Sequence, residues 1–209
     1  MILTGLAPDL RRPDYRVVEL DRGRFASLPA AALGPLGLVI GAEVDEAVAA
    51  KLQHLADIEG AHRAALRAVS RRAHARYDLR RRLLQKQHPA PAVDAALARL
   101  EADGLLDDAT FARTYAATRS ARGRGPARLI KDLLAQGVER RVAEDAVHRA
   151  LDDEGIDPAI AVRAVAEKRA RQLAGLPAPV RKRRLLAYLA RRGYQGAGVR
   201  PVVEALCAS

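Results

Sequence analysis

The chain has no tryptophan, two phenylalanines and five tyrosines in 209 residues. That scarcity argues against the OB and RRM kinds of single-strand binder, which stack bases on aromatic platforms. Cys207 is the single cysteine, so no disulfide framework forms within the chain, and with no base partner in sight it reads as an inert thiol. No run approaches the ~18 apolar residues of a membrane span. The opening MILTGLAPDLRRPDY lacks the basic start and apolar core of a signal peptide. A cytoplasmic protein without a membrane partner is expected.

Catalytic patterns are missing too. His54, His62, His74, His88 and His148 show no paired spacing with cysteine or carboxylate, which speaks against zinc. Asp107-Asp108 precedes a helical pattern and reads as a cap rather than an acid/base or metal pair. Gly123-Arg-Gly-Pro126 lacks the Lys-Ser/Thr ending of a phosphate loop, and Ser70 sits in no nucleophile elbow. A non-enzyme is expected, with no cofactor and no metal.

What the chain has is positive charge, 36 Lys+Arg against 25 Asp+Glu for a net +11. That balance favours a polyanionic partner, most often nucleic acid. After residue 57, alanine and arginine dominate over β-branched residues, which predicts helices. Residues 1–56 read as an extension. Residues 1–13 are loose. A small β-hairpin pairs Tyr15–Leu20 with Phe25–Leu28 around an Asp21–Arg24 turn in which Gly23 is able to take positive φ. A short helix follows between residues 29 and 38, and another runs from about Asp45 to Leu55. A lone hairpin is marginal in water, so it must pack on another part of the chain.

From residue 57 the chain repeats itself. Leu79/Leu83, Leu129/Leu133 and Leu185/Leu189 are leucines at i and i+4 of three second helices. Four residues after each later leucine stand Gln87, Gly137 and Gly193, a helix-ending position. Third helices follow, marked by Val93/Leu97/Leu100, Ala143/Val147/Leu151 and Val199/Val202/Val203/Leu206. First helices precede, over about Glu59–Arg72, Asp108–Arg122 and Pro158–Leu173. The reading is three units of three helices, 57–106, 107–156 and 157–209. Gly104 ends the first unit's last helix, and Asp107 caps the next helix with Asp108 in its first turn. The fold class expected is mainly α: tandem three-helix, helix-turn-helix-like units in an elongated, curved array, with the N-terminal hairpin attached.

Charge is uneven along this array. Residues 57–106 carry 10 basic and 6 acidic residues, 107–156 carry 9 of each, and 157–209 carry 11 and 3. A rod touching polyanion at its ends would show that distribution. The candidate contact residues are Arg71 and Arg72, then Arg80, Arg81, Arg82 and Lys86 on the first unit. Arg122 and Arg124 flank the turn of the second. Arg181, Lys182, Arg183, Arg184, Arg191 and Arg192 belong to the third. Arginine's planar fork suits phosphate; a plain solvated helix face is the competing reading. A helix-turn-helix regulator of duplex promoters is the rival function. Its third helices would begin HPAPAVD, VERRVAE and YQGAGVR, mostly small or apolar and poor at reading base edges.

At LRRRLL, LARLEADGLLDDATFARTYAATR and LIKDLLAQGV the chain resembles the RecX family, bacterial modulators of the RecA recombinase. The carrying residues are Ser70-Arg-Arg72, Asp78-Leu79, Leu83-Leu84, Leu105-Leu-Asp-Asp108, Phe111-Ala112, Tyr115 and Leu133-Leu-Ala-Gln-Gly137-Val138. The hairpin is similar to the N-terminal extension of some members. Two features depart from the pattern. Ala75-Arg-Tyr-Asp78 stands where a Ser-x-x-Glu capping box is usual, and Gln87 with Pro89 and Pro91 replaces a glycine ending. The resemblance implies tandem three-helix units that bind the groove of the RecA–single-stranded DNA filament. It further implies blocked filament growth, with reduced ATP hydrolysis and strand exchange, in the control of homologous recombination, DNA repair and the SOS response. It carries no catalytic residue, and a monomer is expected. Non-specific contact with duplex DNA is a further expectation.

Overall fold

The computed structural model describes residues 1–153 and 158–208. Its strands are β1 (Leu3–Asp9), β2 (Arg12–Leu20) and β3 (Gly23–Pro29), paired antiparallel in the order β1-β2-β3. The hairpin of the sequence reading is β2–β3, and residues 1–13 are not loose: β1 and the start of β2 occupy them. Pro8 and Gly5 hide that strand in the sequence. Both are tolerated because β1 is an edge strand with register irregularities beside Gly5 and Pro8. The β2–β3 turn also differs. Asp21 and Arg22 adopt positive φ (50° and 65°), and Gly23 pairs with Leu20 inside the ladder. Two successive left-handed residues give the twist a two-residue hairpin needs.

The helices are α1 (Ala30–Leu33), followed by a 3-10 turn (Gly34–Leu36), then α2 (Glu46–Val69), α3 (Arg76–Gln85), α4 (Ala90–Ala102), α5 (Asp108–Ser120), α6 (Pro126–Ala135), α7 (Arg140–Asp153), α8 (Pro158–Gln172), α9 (Ala178–Arg192) and α10 (Val199–Cys207). The helices expected at Asp45–Leu55 and Glu59–Arg72 are one continuous 24-residue helix, α2. Residues 56–58 contain neither glycine nor proline, so nothing breaks it. Its start is set by Asp45, whose carboxylate accepts the Val48 amide at 2.7 Å.

Contacts divide the chain into two compact units. One comprises residues 1–72 and 79–106; the other comprises 73–78 and 107–209. In the first, the sheet packs Leu3, Val18, Leu20 and Leu28 against Leu33 and Leu52, so the sheet rests on α2 as its marginal stability demands. A second cluster joins Ala61, Ala64 and Ala65 of α2 to Leu79 and Leu83 of α3 and Val93, Leu97 and Leu100 of α4. The second unit holds two three-helix clusters. Phe111, Leu129, Leu133, Ala143 and Val147 belong to one, and Val162, Leu185, Leu189, Val199 and Val203 to the other. The boundary expected at 156/157 falls outside the described residues.

The repeat is visible in backbone geometry. Gln87, Gly137 and Gly193 all take positive φ, at 63°, 82° and 89°. The next amides, of His88, Val138 and Tyr194, donate back to the carbonyls of Leu83, Leu133 and Leu189 at 3.3, 3.1 and 3.0 Å. That six-to-one bond is the Schellman ending, built three times on the second leucine of each pair. Gln87 adopts it without being glycine.

The cap on α3 is made from outside its own sequence. Asp107 caps α5, accepting the amides of Ala109 and Thr110 at 2.9 and 3.2 Å. Asp108 turns away and accepts the Arg76 amide, at the first residue of α3, at 2.7 Å. A carboxylate 32 residues away thus satisfies one first-turn amide of α3. Asp108→Ala is expected to cost about 1 kcal/mol in urea denaturation, with Asp108→Asn retaining most of it. An unchanged midpoint for the alanine variant would show that the bond contributes nothing.

Candidate nucleic-acid interface

The candidate residues are brought together most densely inside the second unit, where the α5–α6 turn meets the end of α9. Pro126 opens α6 at a position that needs no amide donor. The preceding Gly125 donates its amide to the Arg192 carbonyl at 2.8 Å, and the Ala127 amide reaches the Gly193 carbonyl at 3.3 Å. Backbone therefore lies directly on backbone. A Cβ on Gly125 would fall 2.6 Å from the Gly193 carbonyl carbon, and one on Gly193 would fall 2.3 Å from the Arg128 nitrogen. Gly193 also holds φ at 89°. Gly193→Ala combines left-handed strain with overpacking, about 2–4 kcal/mol together. It should lower the denaturation midpoint of the second unit accordingly; a loss under about 1 kcal/mol would mean that the junction yields freely.

This junction gathers Arg119, Arg122, Arg124, Arg128, Arg191 and Arg192 with Tyr188 around a cavity of about 460 Å³. Among the described residues, the carboxylate within ion-pairing distance of these arginines is Asp132, which binds Arg124 and, at 2.9 Å, Arg128. Tyr115 donates its hydroxyl to the same Asp132 at 3.3 Å. Burial first, and the Asp132 charge second, push the Tyr115 phenol above its usual range, so it stays a neutral donor. Arg119 lies 5.3 Å from the Tyr115 ring centre and Arg192 lies 5.2 Å from that of Tyr188. Arg192 also donates to the carbonyls of Arg122 and Gly123 at 3.2 and 3.3 Å. These contacts fix guanidinium planes without neutralising them. Arg122 and Arg191 are exposed at the rim. One carboxylate against six guanidiniums leaves a concentrated positive potential in a concave site, which focuses field lines on an incoming anion.

The other candidates divide by what they touch. Arg80 forms a two-point ion pair with Asp94 of α4, at 2.7 and 3.0 Å, and so ties α3 to α4. Arg81, Arg82 and Lys86 are exposed on α3, and Arg71 and Arg72 are exposed after α2. Arg181 donates to the Cys207 carbonyl at 2.8 Å, and Lys182 pairs with Glu204 at 2.9 Å. Both therefore join α9 to α10. That hydrogen bond from Lys182 holds the Glu204 carboxyl below its ordinary range. Arg183 and Arg184 are exposed, about 12 Å along α9 from the Arg191–Arg192 pair at 1.5 Å rise per residue. Arg119 and Arg128 were not among the sequence candidates. Arg128 stands four residues after Arg124, in the first turn of α6, and Arg119 is in the last turn of α5.

Among the described residues, no group of three or more histidine, cysteine, aspartate or glutamate side chains is placed to hold a metal, and no helix is long and apolar enough to cross a membrane.

Comparison with known proteins gives one family. Models of the RecX first, second and third three-helix domains match residues 61–100, 107–147 and 161–203. Regulatory protein RecX of Halorhodospira halophila is 35% identical over 148 residues, 70% of this chain and 88% of that protein. Regulatory protein RecX of Thermobifida fusca is 38% identical over 145 residues, 68% of this chain and 76% of the relative. A crystal structure of a regulatory protein RecX shares the fold with a TM-score of 0.74 at 20% identity, covering 100% of this chain and 99% of its own. That of RecX from Lactobacillus salivarius gives 0.62 at 19%, covering 73% and 98%. With three family domains matched in order on three leucine-paired helical repeats, the chain belongs to the RecX family of regulatory proteins.

Proposed function

We propose that this protein is a negative modulator of the RecA recombinase. It binds the RecA–single-stranded DNA filament, blocks its growth and so lowers ATP hydrolysis and strand exchange. It acts by occupancy and electrostatic attachment, as a cytoplasmic monomer, and makes or breaks no covalent bond. The observation that supports this reading best is the six-arginine cavity of the second unit with Asp132 as its ion-pairing carboxylate. Such a site has little use for a neutral ligand and fits a run of phosphates, which arginine forks grip in pairs. The exposed cations of α3 offer the first unit a second, looser phosphate contact.

The test is the ATPase of RecA on single-stranded DNA, with and without this protein. Inhibition is expected at low stoichiometry and should weaken as salt rises, because each neutralised phosphate of a single strand adds about 0.7 to the slope of log affinity against log salt. Unchanged ATPase and unchanged strand exchange at saturating protein would reject the reading.

A further inference from the structure

Beside the arginine cavity lies a larger one of different character. It measures about 1020 Å³ and sits between the end of α5, one face of α8 and the α9 end. That volume reaches the upper end of the ~300–1,000 Å³ typical of binding clefts, and leaves room for several side chains. Part of its lining is apolar. Ile160, Ala161, Ala164 and Val165 recur along α8 at helical spacing and line the cavity, with Ala121 opposite. Ile160 is 68% exposed. Arg122, Lys168, Arg169 and Arg192 line the cavity as well. Arg169 donates to the neutral Gln172 at 2.6 Å and lies 5.2 Å from the Tyr188 ring centre. Arg192 binds carbonyl oxygens. None of these four cations is in an ion pair among the described residues.

An apolar stripe beside cations that form no ion pair among the described residues is a poor match for a nucleic-acid backbone, which would leave Ile160 and Val165 in water. We propose that this groove docks a protein segment in which carboxylates flank leucine- or phenylalanine-like side chains. The apolar side chains would seat along the Ile160–Val165 stripe, and the carboxylates would meet Lys168 and its neighbouring guanidiniums. The groove adjoins the arginine cavity and shares Arg122, Tyr188 and Arg192 with it. One unit could then hold a protein segment and a phosphate chain side by side. This inference stands apart from the DNA reading, because its apolar residues on α8 do not line the arginine cavity.

The experiment is fluorescence anisotropy on the full chain with a labelled short peptide of glutamate, aspartate, leucine and phenylalanine. A control peptide has serine for each leucine and phenylalanine and keeps every carboxylate. Saturable binding of the first peptide is expected, at least tenfold tighter than the control. Ile160→Asp and Lys168→Glu, both at exposed positions, should each weaken it at least tenfold with unchanged circular dichroism. Arg191→Glu, which lines only the arginine cavity, should alter it less than twofold. Three results would overturn the proposal: equal binding of the two peptides, indifference to Ile160→Asp, or loss of peptide binding in Arg191→Glu. Absence of binding would overturn it too, and none of these outcomes bears on the RecA ATPase result.

Discussion

Glu59→Ala should unfold the first unit at a temperature on the order of 10 °C below the parent. Glu59 is 2% exposed on α2 and is the acceptor at the centre of a polar cluster under the sheet. It takes a guanidinium from Arg99 at 2.9 Å and from Arg12 at 3.4 Å, and a hydroxyl from Tyr15 at 3.1 Å. Arg99 also donates to the Tyr15 hydroxyl at 3.0 Å. One carboxylate therefore joins β2, α2 and α4. Removing one partner of a fully buried ion pair costs about 3–5 kcal/mol. Here Arg12 and Arg99 keep 32% and 42% of their side chains exposed and can turn to water, so about 2–3 kcal/mol is expected. At roughly 4–8 °C per kcal/mol for a domain near this size, the shift is plain in a calorimetric scan. Glu59→Gln, which keeps the acceptor and loses the charge, should recover part of it. A parent-like transition in Glu59→Ala would show that the sheet is held by Leu3, Val18 and Leu28 alone.

The same cluster sets a pH dependence. His62 lies one turn along α2, 6% exposed, and its Nε2 has no hydrogen-bond partner among the described residues. Burial first, and the Arg99 guanidinium second, hold the imidazole below its ordinary 6.5; Glu59 and Asp103 pull the other way and lose. The unfolded chain thus takes the proton more readily than the folded one. Stability is full above pH 6.5 and falls as pH drops from 6.5 toward the folded value. Glu59→Ala removes a group that raises the His62 value, so its deficit should widen at mildly acidic pH.

The helical repeat was legible because its signals are local. Leucines at i and i+4 and a helix-ending residue four positions on are short-range facts, and the three Schellman endings follow from them. Asp107 as a cap was equally local. What failed was long-range or masked by small residues. β1 carries Gly5 and Pro8, which propensity rejects and an edge strand accepts. The break expected in α2 lies where the first repeat begins, and no residue of 56–58 interrupts a helix. The cap from Asp108 to Arg76 joins positions that no window spans. Local charge is hidden for a related reason. Residues 107–156 balance to zero, yet Asp107 and Asp108 are spent on caps, Glu144, Asp145, Asp152 and Asp153 lie on α7, and Asp132 alone among these carboxylates pairs with the arginine cluster. A segment total hides what a helix face displays: the middle repeat, neutral in sum, supplies four of the six arginines around the cavity.

That distinction decides how the interface should be attacked, and it yields the largest functional effect expected. Reversing Arg181 or Lys182 would test little, because both hold α9 against α10 and their loss would be read as misfolding. Arg122 and Arg191 are exposed, line the cavity and are in no ion pair among the described residues. Arg122→Glu/Arg191→Glu should therefore leave the fold intact. On the proposed reading it removes two phosphate contacts, each worth about 1.5–3 kcal/mol when charge-assisted, and places two anions against the strand. Affinity for single-stranded DNA or the RecA filament should fall by at least thirtyfold, about 2 kcal/mol. The slope of log affinity against log salt should flatten by about 1.4. Arg183→Glu/Arg184→Glu changes net charge equally on the same helix, about 12 Å away, and should cost no more than a few fold. Equal losses in the two variants would mean that attraction follows net charge alone, and the cavity would then have no special part in binding. A steep loss confined to the first places the phosphates at the α5–α6 turn, where Gly125 and Gly193 let two backbones touch and six guanidiniums crowd together.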